Sequence, residues 1–154
     1  MSFAVNVDEI KDYKDTLKAP GKYQVEVVKA KEGVTRQGGP GSRPKIDLTL
    51  KVLDTIPAGE DIDEDEYENP LDQMVFASIY FPREDDKKNT KNLMMGNLRD
   101  YLNNFEVEPE DPNSLGAEDF MGCIGGVEIK HQKRDKNDPN SPLTDRINNS
   151  VPID

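Results

Sequence analysis

The chain has 154 residues and a formal net charge of −11, with 31 acidic against 20 basic side chains. Its length suits one domain (residues 1–154) with a buried core, but 34% hydrophobic against 33% charged residues leaves part of the chain in solvent. The charge excludes wrapping nucleic acid over the whole surface and leaves only a local basic face open, while a single cysteine, Cys123, excludes a disulfide framework and a multi-cysteine zinc site.

Residues 1–20 read as an N-terminal extension. Phe3 to Val7 suggests a short edge strand, the polar stretch after it is a poor helix, and Pro20-Gly21 marks a turn. From Lys22 to Lys31, Tyr23, Val25 and Val27 alternate on one side, and from Lys45 to Leu53 Ile46, Leu48, Leu50 and Val52 do the same. This is the period of half-buried strands, and the Gly- and Pro-rich segment between them predicts a long β-hairpin. The hairpin is basic. Lys22, Lys29, Lys31, Arg36, Arg43, Lys45 and Lys51 outnumber Glu26, Glu32 and Asp47, giving +4 and leaving −15 for the remainder. Solvation of a long loop is the plain reading, and a finger that touches a polyanion is the functional one.

Residues 54–72 hold nine carboxylates and no Lys or Arg. Charge repulsion and Pro57, Gly59 and Pro70 predict an extended loop. Asp61, Asp63, Asp65, Tyr67, Asn69 and Asp72 follow the spacing of a calcium loop, but Glu66 stands where the sharp turn needs Gly and no amphipathic helices flank the segment. No metal or other cofactor is expected. A metal-dependent nuclease on these aspartates would lack both rigid geometry and a Lys or His partner, so the expectation is a protein that is not an enzyme.

Residues 74–82 form the next expected strand, with Val75, Ala77, Ile79 and Phe81 on one side and Phe76, Ser78 and Tyr80 on the other. The second set suits a surface on which flat bases stack, and parity alone leaves open which side is inside. Met94, Leu98, Tyr101, Leu102 and Phe105 recur at helical spacing and predict a helix over Lys91–Asn104, capped by Asn89 or Thr90, with its apolar stripe in the core. Ala117 to Phe120 suggests a short helical turn. Residues 122–135 read as a strand with Val127, Ile129 and His131 on one side, with a bulge or tight bend at Gly125-Gly126. The basic loop Lys130, Lys133, Arg134 and Lys136 follows, and a last strand alternates Ile147, Asn149, Val151 and Ile153.

The order β-β-β-α-β-β predicts an all-β domain with one helix, the five-stranded, partly open OB-fold barrel, with a long basic β1-β2 hairpin and an acidic β2-β3 loop. That fold places its ligand face on the second and third strands and flanks it with the first and last hairpin loops. Here both of those loops are basic. Lys29, Lys31, Arg36, Arg43, Lys45, Lys130, Lys133, Arg134 and Lys136 become the expected phosphate contacts, and Phe76, Tyr80 and also Tyr23 the base platforms.

The chain also resembles a family of small phage-encoded single-stranded DNA-binding proteins. The similarity lies in the Met1-Ser2-Phe3 start, the Pro20, Gly21, Tyr23, Val25, Val27, Ala30 strand, the Lys45–Asp54 strand, the Lys91-Asn92-Leu93 helix start, a hydrophobic-Gly strand and the closing Pro152-Ile153-Asp154. The resemblance implies sequence-independent protection of single-stranded DNA during replication or recombination, possible phage or host replication and recombination proteins as partners, and the host cytoplasm as location. The chain departs from it in having its acidic run inside, at Asp61–Glu68, and only one acidic side chain in its last seven residues. No apolar run approaches the about 20 residues of a membrane span, and no signal-peptide core is seen, which also points to a cytoplasmic protein with no membrane partner. The competing expectation is an interaction adaptor or DNA mimic acting through residues 54–72.

Overall fold

The computed structural model describes residues 2, 4–12 and 17–154. Two helices, α1 (Val7–Asp12) and α2 (Lys88–Asn104), accompany five strands: β1 (Gly21–Val34), β2 (Pro44–Thr55), β3 (Met74–Tyr80), β4 (Ile124–Lys133) and β5 (Leu143–Val151). The strands form one antiparallel sheet in the order β3-β2-β1-β4-β5, and α2 and a 3-10 turn at Ala117–Phe120 connect β3 to β4.

The sheet is strongly curved because β1 and β2 carry two register shifts, between Gln24 and Val25 and between Val27 and Lys29. Each extra residue bends the strand and adds twist. The first half of β1 pairs with both β2 and β4, whereas from Lys29 to Val34 it pairs with β2 alone. Curvature brings the edge strands β3 and β5 into contact, but no ladder joins them, so the sheet stays open. Its concave side holds the core, in which Val25, Val27, Leu48, Leu50, Val52, Ile79 and Val127 are essentially inaccessible. Tyr101 of α2, Phe105 at its C-terminal cap and Phe120 of the 3-10 turn plug it.

Several local expectations are corrected. Residues 4–6 join no sheet, and Val7 opens a helix because Asn6 Oδ1 accepts the amides of Asp8 (3.0 Å) and Glu9 (3.2 Å), as an N-cap does. The Phe3 end of the expected strand lies outside the described residues, as do residues 13–16. Helix α2 starts at Lys88, so Asn89 and Thr90 sit inside its first turn and cap nothing; Lys87 holds the cap position without a side-chain bond.

In β5 the simple alternation fails. Val127 faces Ser150 and Ile129 faces Ile147, which leaves one extra residue in β5 and turns Ser150 inward and Asn149 out. Ser150 is satisfied there by Asn104 Nδ2 at 2.9 Å. Gly125 and Gly126 are required for close approach. A Cβ on Gly125 would lie 2.5 Å from the Phe105 ring, and one on Gly126 would lie 2.5 Å from the Val151 carbonyl oxygen.

The acidic loop is folded down rather than extended. Glu68 exchanges backbone hydrogen bonds with Leu17 and Ala19 (2.9 and 3.0 Å), Ile62 and Leu71 pack on the core, and Pro70 is buried. Its Asp63 Oδ1 accepts the amides of Asp65 and Glu66. The hairpin tip forms a 3-10 turn at Thr35–Gly38, with Arg36 at φ 52°. The Thr35 N–H donates to the Arg43 carbonyl (2.9 Å), and the Arg43 N–H donates to Thr35 Oγ1 (2.8 Å).

Candidate nucleic-acid interface

The question that parity left open is answered on β3. Val75, Ala77 and Ile79 are buried, so Phe76, Ser78 and Tyr80 face outward, with Phe76 70% and Tyr80 40% exposed. Phe76 thus presents a flat apolar ring to solvent, which is what stacking on a base needs.

The register carries this face across three strands. Tyr80 pairs with Lys45 and Lys45 with Gly33; Ser78 pairs with Asp47 and Asp47 with Lys31; Phe76 pairs with Thr49 and Thr49 with Lys29. Each row therefore has an aromatic or hydroxyl side chain at the β3 edge, and two of the three end in an exposed lysine on β1. Rows two residues apart lie about 7 Å from one another. In the middle row the Ser78 hydroxyl donates to Asp47 Oδ1 at 2.6 Å, and Lys45 Nζ lies 3.1 Å from the same oxygen. Burial acts to raise the Asp47 pKa, but the Ser78 hydrogen bond with Lys45 and Lys31 overcomes it and holds the carboxyl below its usual range.

The structure separates the nominated residues. Lys29, Lys31, Lys45, Phe76 and Tyr80 share this face. Arg36 is exposed at the hairpin tip. Lys133, Arg134 and Lys136 are exposed at the β4-β5 turn and make no ion pair among the described residues, while Lys130 lies 3.7 Å from Glu128. Two nominations are corrected. Tyr23 is 2% exposed with its hydroxyl donating to the Ala19 carbonyl at 2.8 Å, so it belongs to the core and offers no platform. Arg43 is held in a bidentate pair with Asp86, both contacts at 2.7 Å, and also donates to the Phe81 carbonyl at 2.9 Å, which leaves its guanidinium committed to the fold.

The two basic hairpins do not form facing walls. β4 runs antiparallel to β1, so their tips leave the sheet at opposite ends. β3 and β5 both run parallel to β1 by the chain of antiparallel pairings, and the open seam between them spans from one tip toward the other. Phe76 lines this seam opposite Arg146, an exposed residue whose cross-strand partner is Lys130. Arg146 was missed from sequence, although the inward Ile147 beside it implies an outward side chain at 146.

The described residues contain no group of three or more His, Cys, Asp or Glu placed to hold a metal ion. Cys123 is half-buried with Sγ 3.5 Å from the Asp119 carbonyl, and burial together with Asp119 pushes its pKa up, away from nucleophilic chemistry. Among the described residues no helix is long and apolar enough to cross a membrane. No protein-family model matches the chain, and no curated protein matches it in sequence.

Proposed function

We propose that this chain is a non-enzymatic single-stranded DNA-binding protein on an OB-fold, of the phage replication and recombination type that its sequence resembles. The observation that carries the reading is the outward pair Phe76 and Tyr80, side by side with Lys29, Lys31 and Lys45 on one face of β1, β2 and β3. Bases stack on the rings while phosphates meet the lysines, a combination that tolerates any sequence and needs an unpaired strand. The connectivity β3-β2-β1-β4-β5, with the helix between β3 and β4, supports the OB-fold part of the proposal. A strand lying along the seam beside Phe76 would run from Lys133 and Arg134 at one hairpin toward Arg36 at the other.

Fluorescence polarisation with labelled oligo-dT at low salt tests the proposal. Binding is expected, with a duplex of the same length competing poorly. Affinity falls with salt by about 0.7 log units per decade for each phosphate neutralised, so an engagement of about five phosphates gives a log-log slope near −3.5. No binding to any unpaired oligonucleotide at low salt overturns the reading. If neutralising the carboxylates of residues 61–66 removes partner binding while lysine changes do nothing, the adaptor or DNA-mimic reading takes its place.

A further inference from the structure

The stacking face carries one acceptor that a purely sequence-independent surface does not need. Asp47 stands in the row between the two aromatic rows, about 7 Å from each. Its side chain is 45% exposed. Oδ1 is taken by Ser78 and faces Lys45, but Oδ2 accepts no hydrogen bond among the described residues. Gly33 lies beside Oδ2: a Cβ added there would sit 3.8 Å from that oxygen and 3.8 Å from Lys45 Cε, so no side chain reaches Oδ2 from Gly33. Gly33 has an ordinary strand φ and pairs in register with Lys45, and the backbone itself does not require glycine there.

We propose that Asp47 Oδ2 reads the exocyclic amino group of a base stacked on Phe76 or Tyr80, giving this face a preference for cytosine over uracil or thymine. An ionised carboxylate only accepts. Cytosine N4 donates two hydrogens at the position where uracil and thymine carry O4, and Asp or Glu to cytosine N4 is a pairing that base recognition uses. Facing O4, the same oxygen meets a second acceptor, and both lose water without gaining a partner. Ser78 and Lys45 fix the carboxylate in place, so little freedom is lost when the base arrives. The inference rests on the single-strand reading and adds a base preference to it.

The test compares oligo-dC with oligo-dU of equal length near neutral pH, because the two bases differ only in the groups at C4 and N3 and stack alike. The expected result is tighter binding of dC, on the order of tenfold. Asp47→Asn, whose amide can donate to O4, narrows or reverses that ratio. Gly33→Val, which keeps every charge and suits a strand, covers Oδ2 and narrows it as well. Equal binding of dC and dU by the unaltered protein overturns the base preference and leaves the single-strand reading standing, as does a preference that survives both substitutions. Failure to bind either oligonucleotide overturns the single-strand reading itself.

Discussion

Arg43 and Asp86 face each other with both guanidinium-to-carboxylate contacts at 2.7 Å, and their side chains are only 14% and 4% exposed. The same carboxylate accepts the Arg83 amide at 2.6 Å, and the Arg83 guanidinium reaches the Ser42 carbonyl at 3.1 Å. One acid thus ties the tip loop of the β1-β2 hairpin, where it enters β2, to the loop after β3. Removing one partner leaves an uncompensated charge at the joint. Arg43→Ala and Asp86→Ala are each expected to lower the urea midpoint clearly, whereas Arg36→Ala, at the exposed tip, leaves it unchanged and weakens DNA binding. Arg43→Lys is expected to rescue only in part, since an ammonium cannot make the fork.

The same joint makes stability depend on pH in the acid range. The hydrogen bonds from Arg43, then from the Arg83 amide, hold the Asp86 carboxyl well below the usual carboxylate range. A depressed folded pKa contributes stability that is complete above the unfolded value of about 3.9 and is lost as pH falls from there toward the folded value. Denaturant midpoints between pH 6 and pH 2 are expected to drop below about pH 5 and to fall less steeply in Asp86→Asn. Asp47 and Asp54, also depressed, keep some slope in that variant.

The Phe105 ring, at the C-terminal cap of α2, fills the space beside Gly125 where a side chain would otherwise lie. A methyl group at Gly125 meets the ring at 2.5 Å, with a strand backbone behind it that is paired to Val25 of β1 and, one residue on at Gly126, to Val151 of β5. Gly125→Ala is expected to destabilise by roughly 2–3 kcal/mol, and Phe105→Leu in the same chain to recover part of the loss. Equilibrium urea unfolding of the two single variants and the double variant measures the coupling.

The strands were legible where alternation was clean, as in Val25 and Val27 or Ile46, Leu48 and Leu50, because a half-buried face writes its period into the sequence. Alternation failed at Ser150, where one extra residue in β5 reverses the faces and nothing in the composition marks it. The aromatic pair could be nominated but not oriented, since Val75, Ile79 and Phe76, Tyr80 are equally apolar sets and only packing decides between them. Arg43 could not be told from Arg36 by charge or position in the hairpin. What separates them is Asp86, a partner far along the chain. The need for glycine at 125 was hidden for a similar reason, because the ring that fills its empty side is Phe105, just past the end of α2.

Tyr101 is fully buried, stacks on Phe105 with ring centroids 5.8 Å apart, and has a hydroxyl without a hydrogen-bond partner among the described residues. Burial pushes its pKa up to about 12. Deleting the hydroxyl keeps the ring and removes a group that lost its water on folding, so Tyr101→Phe is expected to hold stability or raise it by about 1 kcal/mol. Thermal and urea unfolding give the sign, and a loss of more than about 1 kcal/mol points instead to a partner for the hydroxyl.

Phe76→Ala and Tyr80→Ala separate binding from folding. Phe76 is 70% exposed and its row partners are Thr49 and Lys29, so its removal opens no cavity and unfolding is expected to shift by no more than about 0.5 kcal/mol. Removing either stacking platform is expected to weaken oligonucleotide binding by about 1–3 kcal/mol. The salt slope should not change, because every lysine proposed to meet a phosphate is still in place. Lys29→Ala and Lys31→Ala should do the opposite, reducing the slope by about 0.7 for each phosphate no longer neutralised. The two kinds of variant are distinguished by measuring affinity at several salt concentrations. Equal slopes for all four variants would mean that the lysines do not touch phosphate, and unchanged affinity in both aromatic variants would remove Phe76 and Tyr80 from the interface.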